Sequence, residues 1–312
     1  MHLPPPVERV LAWYDGERPA VKAGLARLLM HGRTGGSGRL LILPVDQGFE
    51  HGPGRSFAAN PAGFDPAYHF ELAIEAGVSA LAAPLGFLAA CADRYAGEVP
   101  LILKANHADS LATTRNQAVT ASVRDALELG CTAIGYTIYP GSDFQYEMFE
   151  EVRAGMAEAR AAGLPVMLWA YPRGGGISKE GETALDVVSY AAHIAALLGA
   201  HIIKVKPPSD RIEFAEARAA YATLDRDFSR LATRVAHVVE SALGGRRLVV
   251  FSGGPARTLD EVHAEIGSIV AGGGHGSIIG RNSFQRPRGE ALAMLGRIAD
   301  AYLADAEAEP RG

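Results

Sequence analysis

The stretch ALDVVSYAAHIAALLGAHIIKVKPP, residues 184–208, joins an amphipathic helical segment to a short apolar strand. The helical segment ends at Gly199, a residue type that commonly closes a helix and turns the chain into the next element. Apolar strands that alternate with such helices indicate a parallel sheet that is covered on both faces. This stretch therefore predicts an α/β fold, provided that the same unit recurs along the chain.

The unit does recur, and eight apolar segments are each followed or preceded by a helical stretch. The predicted strands lie within residues 39–48, 78–86, 99–106, 131–141, 164–175, 200–208, 246–255 and 275–282. Eight such units in a chain of this length are typical of a closed (β/α)8 TIM barrel. An open doubly wound sheet is the alternative, but it usually carries a G-x-G-x-x-G turn after its first strand, and LPVDQGFEHGPG (43–54) does not match that turn.

We therefore predict one α/β barrel domain with two flanking segments. The barrel is expected over residues 39–303, after an N-terminal helical extension over 1–38 and before a flexible tail over 304–312. No Pro-, Gly- or Ser-rich linker divides the chain into two domains.

Composition argues against several classes of partner. The formal net charge is −5 and no Lys- or Arg-rich block occurs, so we expect no nucleic-acid partner. No apolar run approaches the roughly 20 residues that span a bilayer, and the N-terminus lacks the layout of a signal peptide, so we expect no membrane partner. The two cysteines, Cys91 and Cys131, lack metal-type spacing, which fits a reducing, cytoplasmic location.

Two lysines in the predicted sixth strand are unexpected in a buried segment. Lys204 and Lys206 lie two residues apart, so on a strand they project from the same face. A lysine in a desolvated barrel mouth beside another cation has a lowered pKa, and its neutral amine attacks a carbonyl to form a Schiff base. Alternatively, both lysines reach solvent or pair with acids such as Asp46. The pattern does not say which lysine would react.

Other polar residues also fall where the predicted strands end, which is where barrel enzymes place their chemistry. Tyr171 follows the fifth strand and is predicted either to transfer a proton beside Lys204 or to pack at the rim. Asp46 follows the first strand and is predicted to orient a substrate hydroxyl, to hold the ammonium of a neighbouring lysine, or to cap a helix or turn. Trp169 is predicted to be a packing residue or a wall of the pocket, and Lys104 ends the third strand.

The loops after the seventh and eighth predicted strands favour a phosphate site. Gly253 and Gly254 allow backbone N–H groups to approach an anion, and Ser252 adds a hydroxyl. Gly280 supplies a further N–H and Arg281 a guanidinium fork. Alternatively, the glycines only make tight turns and Arg281 pairs with a carboxylate. The occurrence of both loops together favours phosphate, because barrel enzymes often bind it there.

Six motifs, in order, resemble those of the archaeal-type class I fructose-1,6-bisphosphate aldolases, a family with bacterial members. They are PVDQGFEHGP (44–53), YTIYPGS (136–142), WAYPRGG (169–175), HIIKVKPP (201–208), FSGG (251–254) and GSIIGRNSFQRP (276–287). The resemblance covers roughly residues 39 to 290. It implies a (β/α)8 barrel, a sugar phosphate substrate, no cofactor and no metal, and homo-oligomers as large as octamers or decamers.

The resemblance also implies roles for individual residues. It makes Lys204 the Schiff-base lysine, Tyr171 the proton-transferring residue and Asp46 the assisting carboxylate. His51 and Arg55 fall where the family contacts substrate, at the second phosphate. Substrate and phosphate binding is expected from Gln47, His51, Arg55, Trp169, Arg173, Lys206, Ser252, Gly253, Gly254, Gly280 and Arg281.

Two departures from the family pattern are visible. Gln47 stands where many archaeal members carry a histidine, and KPP (206–208) replaces a Tyr-Thr-Gly turn. The segment that follows is also longer than expected. These departures leave open what Lys206 contacts.

The reaction that the resemblance implies is reversible aldol cleavage in glycolysis and gluconeogenesis, giving dihydroxyacetone phosphate and glyceraldehyde 3-phosphate. One alternative is a related Schiff-base aldolase, transaldolase or thiolase that acts on another phosphorylated keto sugar. A second alternative is a metal-dependent aldolase, but the ten histidines show no three-ligand cluster in the sequence. A phosphosugar sensor is a third, and it would need neither Lys204 nor Tyr171.

Overall fold

A computed structural model of the protein describes residues 2–253 and 258–308, and it contains a closed barrel of eight parallel strands. The barrel strands are β1 Leu40–Pro44, β2 Ala80–Pro84, β3 Leu101–Lys104, β6 Ala133–Ile138, β7 Val166–Ala170, β8 Ile202–Val205, β9 Leu248–Ser252 and β10 Gly276–Ile278. Their order around the barrel is β1–β10–β9–β8–β7–β6–β3–β2. A short antiparallel pair, β4 Asn106–His107 and β5 Ala118–Val119, follows β3. The predicted TIM barrel is confirmed, and every barrel strand lies within a predicted segment.

Helices connect the strands and cover the outside of the barrel. Their bounds are α1 Pro5–Ala12, α2 Pro19–Met30, α3 Gln47–His51, α4 Pro53–Phe57, α5 Pro66–Ala76, α6 Leu85–Ala89, α7 Val123–Glu128, α8 Gln145–Ala162, α9 Leu185–Leu197, α10 Ala215–Ala222, α11 Leu231–Ser241, α12 Leu259–Ala271, α13 Arg281–Phe284 and α14 Arg288–Ala308. Two 3-10 helices span Pro61–Phe64 and Gly181–Thr183. In the part of the chain that the structure describes, no helix is long and apolar enough to cross a membrane.

The strands separate two apolar clusters, as the alternation of side chains along a strand requires. Leu40 and Ile42 of β1 belong to the cluster inside the barrel, whereas Leu41 and Leu43 pack in the layer between strands and helices. All four side chains are fully buried. This arrangement explains why each strand is a continuous apolar run rather than an alternating one.

The two N-terminal helices pack against the interior cluster at the amino ends of the strands. Val7 of α1 and Leu25 of α2 are fully buried in that cluster. Tyr14, between the helices, donates a hydrogen bond to the His201 carbonyl oxygen at 2.6 Å and accepts one from the Leu248 backbone N–H at 3.0 Å. These contacts cover one end of the barrel, so a ligand has to enter at the opposite end.

The last helix runs further than the sequence predicts. It continues to Ala308, past residue 304, where the sequence predicts that a flexible tail begins. Asp305 pairs with Arg39, with 2.9 Å between Oδ2 and Nη2, and the Arg39 side chain is 10% exposed. A tertiary ion pair of this kind extends a helix beyond the point that local apolar periodicity indicates.

Two buried histidines support the backbone at the amino ends of β7 and β9. The backbone N–H of Val166 donates to Nδ1 of His201 at 3.0 Å, and that of Val249 donates to Nδ1 of His275 at 3.2 Å. A nitrogen that accepts a hydrogen bond carries no proton, so both rings must be neutral and protonated on Nε2. Burial lowers the pKa of both rings, that of His275 to about 3.

We therefore expect the fold to lose stability as the pH falls below about 6.5. The unfolded chain binds these protons near that pH and the folded chain does not, so each such histidine removes up to ~1.4 kcal/mol per pH unit down to its folded pKa. Urea unfolding between pH 7.5 and 5 measures the slope. His275→Gln keeps an acceptor for the backbone N–H of Val249. It should reduce the slope of the free energy of unfolding against pH by the contribution of one proton, up to ~1.4 kcal/mol per pH unit. An unchanged slope in this variant would contradict the assignment.

Candidate active site

A cavity of about 770 Å³ opens at the carboxyl ends of the barrel strands. It collects most of the residues that the sequence predicts for the site: Asp46, Gln47, His51, Tyr171, Arg173, Lys204, Lys206, Ser252, Gly253, Gly280 and Arg281. A second hollow of about 750 Å³ lies outside the barrel between α9, α10 and α11, and it is lined by no predicted site residue. Chemistry is therefore expected in the first cavity, as is usual for this fold.

Lys204 is the nucleophile candidate inside this cavity. It lies on β8 between Trp169 of β7 and Val250 of β9, and it is 6% exposed. Burial lowers its pKa to about 7, although the nearby carboxylates of Asp46 and Glu50 oppose the shift. Near neutral pH a large fraction of Lys204 is thus a free amine, the form that attacks carbonyl carbons.

The neighbouring cations contribute less to this shift than the sequence suggests. Lys206 and Lys104 both lower the pKa of Lys204, but burial is the largest cause. Desolvation by the surrounding barrel, rather than a second lysine on the same strand, is what favours the neutral amine.

Tyr171 lies against this amine in the cavity wall. Nζ of Lys204 is 4.2 Å from the centroid of the Tyr171 ring, so the ammonium form rests on the ring face. The backbone N–H of Tyr171 donates to the Ile138 carbonyl oxygen at 3.0 Å, which fixes the residue just beyond the end of β7. A phenol at this place has both the nucleophile and the cavity within reach.

Asp46 follows β1 directly and precedes α3. Its side chain makes no capping hydrogen bond to that helix within the described chain. Its charge instead raises the pKa of both Lys204 and Lys104. Of the alternatives that the sequence leaves open, the structure favours a carboxylate that faces the lysines over a turn cap.

Lys104 and Trp169 lie in the barrel interior and do not line the cavity. Lys104 is 3% exposed, its ammonium donates to the Asn106 carbonyl oxygen, and burial lowers its pKa to about 8. Trp169 is 1% exposed, and the Lys104 nitrogen lies 5.5 Å from its ring centroid. Trp169 thus packs as a core residue rather than as a pocket wall.

Glu50 lines the cavity, although no sequence pattern predicts a role for it. Its Oε1 lies 3.3 Å from Nη2 of Arg173, and its Oε2 lies 3.8 Å from Nε2 of His51. Burial raises its pKa, but the charge of Arg173 and of further cations outweighs burial and holds the pKa below its usual value. The only sequence signal was its place inside the motif PVDQGFEHGP.

Arg173 is held in a defined orientation at the cavity. Its guanidinium carbon lies 4.8 Å from the ring centroid of Tyr139 and 5.7 Å from that of Tyr171. Nη1 also donates to the Tyr139 hydroxyl at 3.4 Å. Two aromatic faces and a hydroxyl therefore position this cation before any ligand arrives.

The two predicted phosphate loops meet on one cavity wall. Nδ2 of Asn282 donates to the Gly253 carbonyl oxygen at 2.8 Å, which ties the loop after β10 to the loop after β9. A Cβ atom added to Gly280 would lie 2.7 Å from Nε2 of Gln47 and 3.1 Å from the Pro44 carbonyl oxygen, so a larger residue would displace the Gln47 side chain and crowd β1. Ser252 and Arg281 line the same wall. Gly254 lies outside the described residues.

Arg55 is a second predicted binding residue that does not line the cavity. It lies in α4 and is exposed. His51, its predicted partner at a second phosphate, does line the cavity, and its pKa is lowered by burial and also by the charge of Arg55. Among the residues the structure describes, no group of three His, Cys, Asp or Glu side chains is arranged to hold a metal ion.

The lowered pKa of Lys204 gives a direct expectation for its reactivity. Because the amine loses its proton as the pH rises through about 7, its labelling by an amine reagent should increase with a midpoint near that pH. The same lysine in the urea-unfolded chain serves as the control, because an unburied lysine titrates near its reference value of about 10.4. Peptide mass spectrometry across pH 5–11 measures labelling of Lys204 in both states. Equal midpoints in the folded and unfolded chain would contradict the desolvated amine.

The match to known proteins first defines a class. The chain belongs to the DeoC/LacD family of aldolases, because that family's model matches residues 40–286. This span contains all of the barrel strands and the whole cavity.

The more similar relatives define a narrower group. The chain is 38% identical over 310 residues to the probable fructose-bisphosphate aldolase class 1 of Chlamydia muridarum, covering 95% of this chain and 88% of the relative. It is 37% identical over 276 residues to the fructose-bisphosphate aldolase class 1 of Thermoproteus tenax, covering 88% and 93%. The resemblance predicted from the six motifs is thereby confirmed.

A solved structure agrees with this group. An archaeal fructose-1,6-bisphosphate aldolase, whose catalytic lysine is covalently bound to the carbinolamine intermediate, has 33% sequence identity to this chain. The TM-score is 0.73, and the match covers 89% of this chain and 98% of the other.

Proposed function

We propose that this protein is a class I fructose-1,6-bisphosphate aldolase, a lyase that reversibly forms dihydroxyacetone phosphate and glyceraldehyde 3-phosphate. The observation that carries the proposal is Lys204, a lysine in the phosphate-type cavity of a barrel whose burial lowers its pKa to about 7. The class 1 fructose-bisphosphate aldolases among its relatives support the same substrate.

Covalent chemistry begins at Lys204 in this proposal. Its neutral amine attacks C2 of the open-chain ketose and forms a carbinolamine, which loses water to give an iminium. The iminium accepts the electron pair of the C3–C4 bond when that bond breaks, and an enamine remains on the lysine. Protonation at C3 and addition of water then release dihydroxyacetone phosphate and restore the amine.

Proton transfer at C4 is assigned to Tyr171, with water. The C4 hydroxyl must lose its proton as the C3–C4 bond breaks, and its oxygen becomes the aldehyde of glyceraldehyde 3-phosphate. Tyr171 is the hydroxyl-bearing side chain that lies against Lys204 in the cavity. Positioned acid–base groups of this kind contribute about 100- to 10,000-fold to a rate.

Carbinolamine turnover is assigned to Asp46, whose charge acts on Lys204. Forming and losing the carbinolamine hydroxyl needs a group that accepts and returns a proton near C2. Substrate binding is assigned to Ser252, Gly253, Gly280 and Arg281 at one phosphate. Binding of a substrate phosphate by these residues holds C2 close to the Lys204 amine, and this positioning lowers the activation barrier of the reaction.

Assembly and location complete the proposal. We expect homo-oligomers, as the family resemblance implies, and size-exclusion chromatography with light scattering measures their size. Cytoplasmic location is supported by two buried cysteines, both without a disulfide.

A cleavage assay tests the function. The purified protein is incubated with fructose 1,6-bisphosphate and excess chelator, and both triose phosphates are quantified by coupled enzymes. We expect equal amounts of the two products and the same rate without chelator. Loss of activity with chelator would favour a metal-dependent aldolase. Cleavage of a different phosphorylated keto sugar alone would favour the related Schiff-base enzymes, and binding without turnover would favour a sensor.

A further inference from the structure

The loops after β7 and β8 are joined into one rigid wall of the cavity. The backbone N–H of Ser209 donates to the Thr183 carbonyl oxygen at 2.7 Å, and the Ser209 hydroxyl donates to the same oxygen at 3.0 Å. The carboxylate of Asp186 accepts the backbone N–H groups of Glu213 and Phe214 at 2.9 and 3.0 Å. The segment in which this chain departs from its family's pattern is therefore fixed in place.

This wall carries a cluster of cations around one carboxylate. Glu182, with a side chain 11% exposed, receives Lys179 on both oxygens at 3.0 Å and Lys206 on Oε2 at 3.4 Å. Arg173 is close enough that its charge lowers the pKa of both Lys206 and Glu182. Lys179, Lys206 and Arg173 all line the cavity.

The cluster lies on the loops that follow β7 and β8, whereas the predicted phosphate loops follow β9 and β10. One side of the cavity thus carries Ser252, Gly253, Gly280 and Arg281. The other side carries three cations, which pair with Glu50 in the lining and with Glu182 behind it. Lys204 lies on β8, and Lys206 is the first residue after the end of that strand. A bisphosphate held over Lys204 has one phosphate available for each side.

We infer that Lys206 binds the second phosphate of the substrate, the one remote from C2, and so sets the preference for a bisphosphate over a monophosphate. Glu182 is a positioning residue that holds the Lys206 ammonium at the cavity wall until substrate arrives. This inference rests on the proposed function and names the residue that selects its substrate class. Arg55, which the family resemblance suggests for this phosphate, is exposed and does not line the cavity.

The contact distances favour Lys206 over Lys179 for this role. In the described part of the chain, Lys206 contacts Glu182 at 3.4 Å, longer than either contact of Lys179, so its ammonium is the less firmly held. When Lys206 turns to a phosphate, Glu182 keeps both contacts to Lys179 and is not left as an unpaired charge. An ammonium carries three donors, and its hydrogen bonds to phosphate are charge-assisted.

Substrate discrimination tests the inference. The ratio of kcat/KM for fructose 1,6-bisphosphate to that for fructose 1-phosphate is measured in the wild type and in Lys206→Met. We expect the ratio to fall about 10- to 100-fold in Lys206→Met, mostly through KM for the bisphosphate. Lys206→Arg should recover most of the ratio, because it restores the cation.

Two controls separate binding from folding and from the proposed function. Lys22→Met removes a lysine whose partner is surface Asp15 and should leave the ratio unchanged. Borohydride reduction with dihydroxyacetone phosphate should still label Lys204 in Lys206→Met, which shows an intact nucleophile. An unchanged ratio, or equal losses for both substrates, would overturn the role of Lys206 while the function stands. A wild type that cleaves neither substrate would overturn both.

Discussion

Replacing Lys204 with methionine is expected to lower kcat for fructose 1,6-bisphosphate cleavage by more than about 1,000-fold. Methionine keeps a long side chain in a position that is 6% exposed, so the barrel should remain folded. Among the described residues that line the cavity, Lys204 is the only lysine whose pKa is lowered to about 7 by burial, and the substitution removes its amine. Without an amine at C2 no iminium forms, and the C3–C4 electron pair has no acceptor.

Borohydride trapping measures the same step directly. Wild-type protein incubated with dihydroxyacetone phosphate and then reduced should carry one stable adduct, located on Lys204 by peptide mass spectrometry. Lys204→Met should carry none. Lys104→Met is the informative comparison, because Lys104 is buried and has a pKa near 8, yet does not line the cavity. An adduct on Lys104 or Lys206 would keep the reaction class and reject Lys204 as the nucleophile.

Replacing Tyr171 with phenylalanine should separate proton transfer from covalent chemistry. The ring that lies 4.2 Å from the Lys204 nitrogen is retained, and only the hydroxyl is lost. We expect kcat for cleavage to fall about 100-fold or more, because the C4 hydroxyl loses its proton acceptor. The adduct between Lys204 and dihydroxyacetone phosphate should still form, since that step needs no proton transfer at C4.

Single-turnover cleavage and borohydride trapping in the same preparation measure these two outcomes. Tyr190→Phe, a change on α9 where the tyrosine is 63% exposed, is the matched control and should leave both unchanged. Equal loss of cleavage and of adduct in Tyr171→Phe would place the hydroxyl in Schiff-base formation instead. Undiminished cleavage would remove Tyr171 from the mechanism.

Position at the end of a predicted strand identifies some of the residues of this site but not all of them. Asp46, Tyr171 and Ser252 line the cavity because parallel strands present their carboxyl ends at one edge of the barrel. The same reasoning is insufficient for Trp169, because this residue shares the inward face with Tyr171 but lies two residues deeper in the barrel, where it packs in the interior. Glu50 was missed because it lies in a helical turn after β1, where strand periodicity gives no direction.

Arg55 marks the limit for loop residues. The family resemblance places it near the substrate and its charge acts on His51, but α4 leaves its side chain exposed and outside the cavity lining. The direction of a side chain in a short helix depends on how that helix packs, and no local pattern encodes this packing.

The sequence by itself determined the eight strand–helix units, the closed barrel that they form, and the set of polar residues at the strand ends. These follow from apolar periodicity and from glycine-terminated helices, which are local properties of the chain. Only the tertiary structure decided which lysine has a pKa near 7, and which cations remain at the cavity wall. Desolvation and charge pairing depend on groups from several elements at once, so Lys204, Glu50 and the Lys206–Glu182 pair acquire their properties only when the barrel closes.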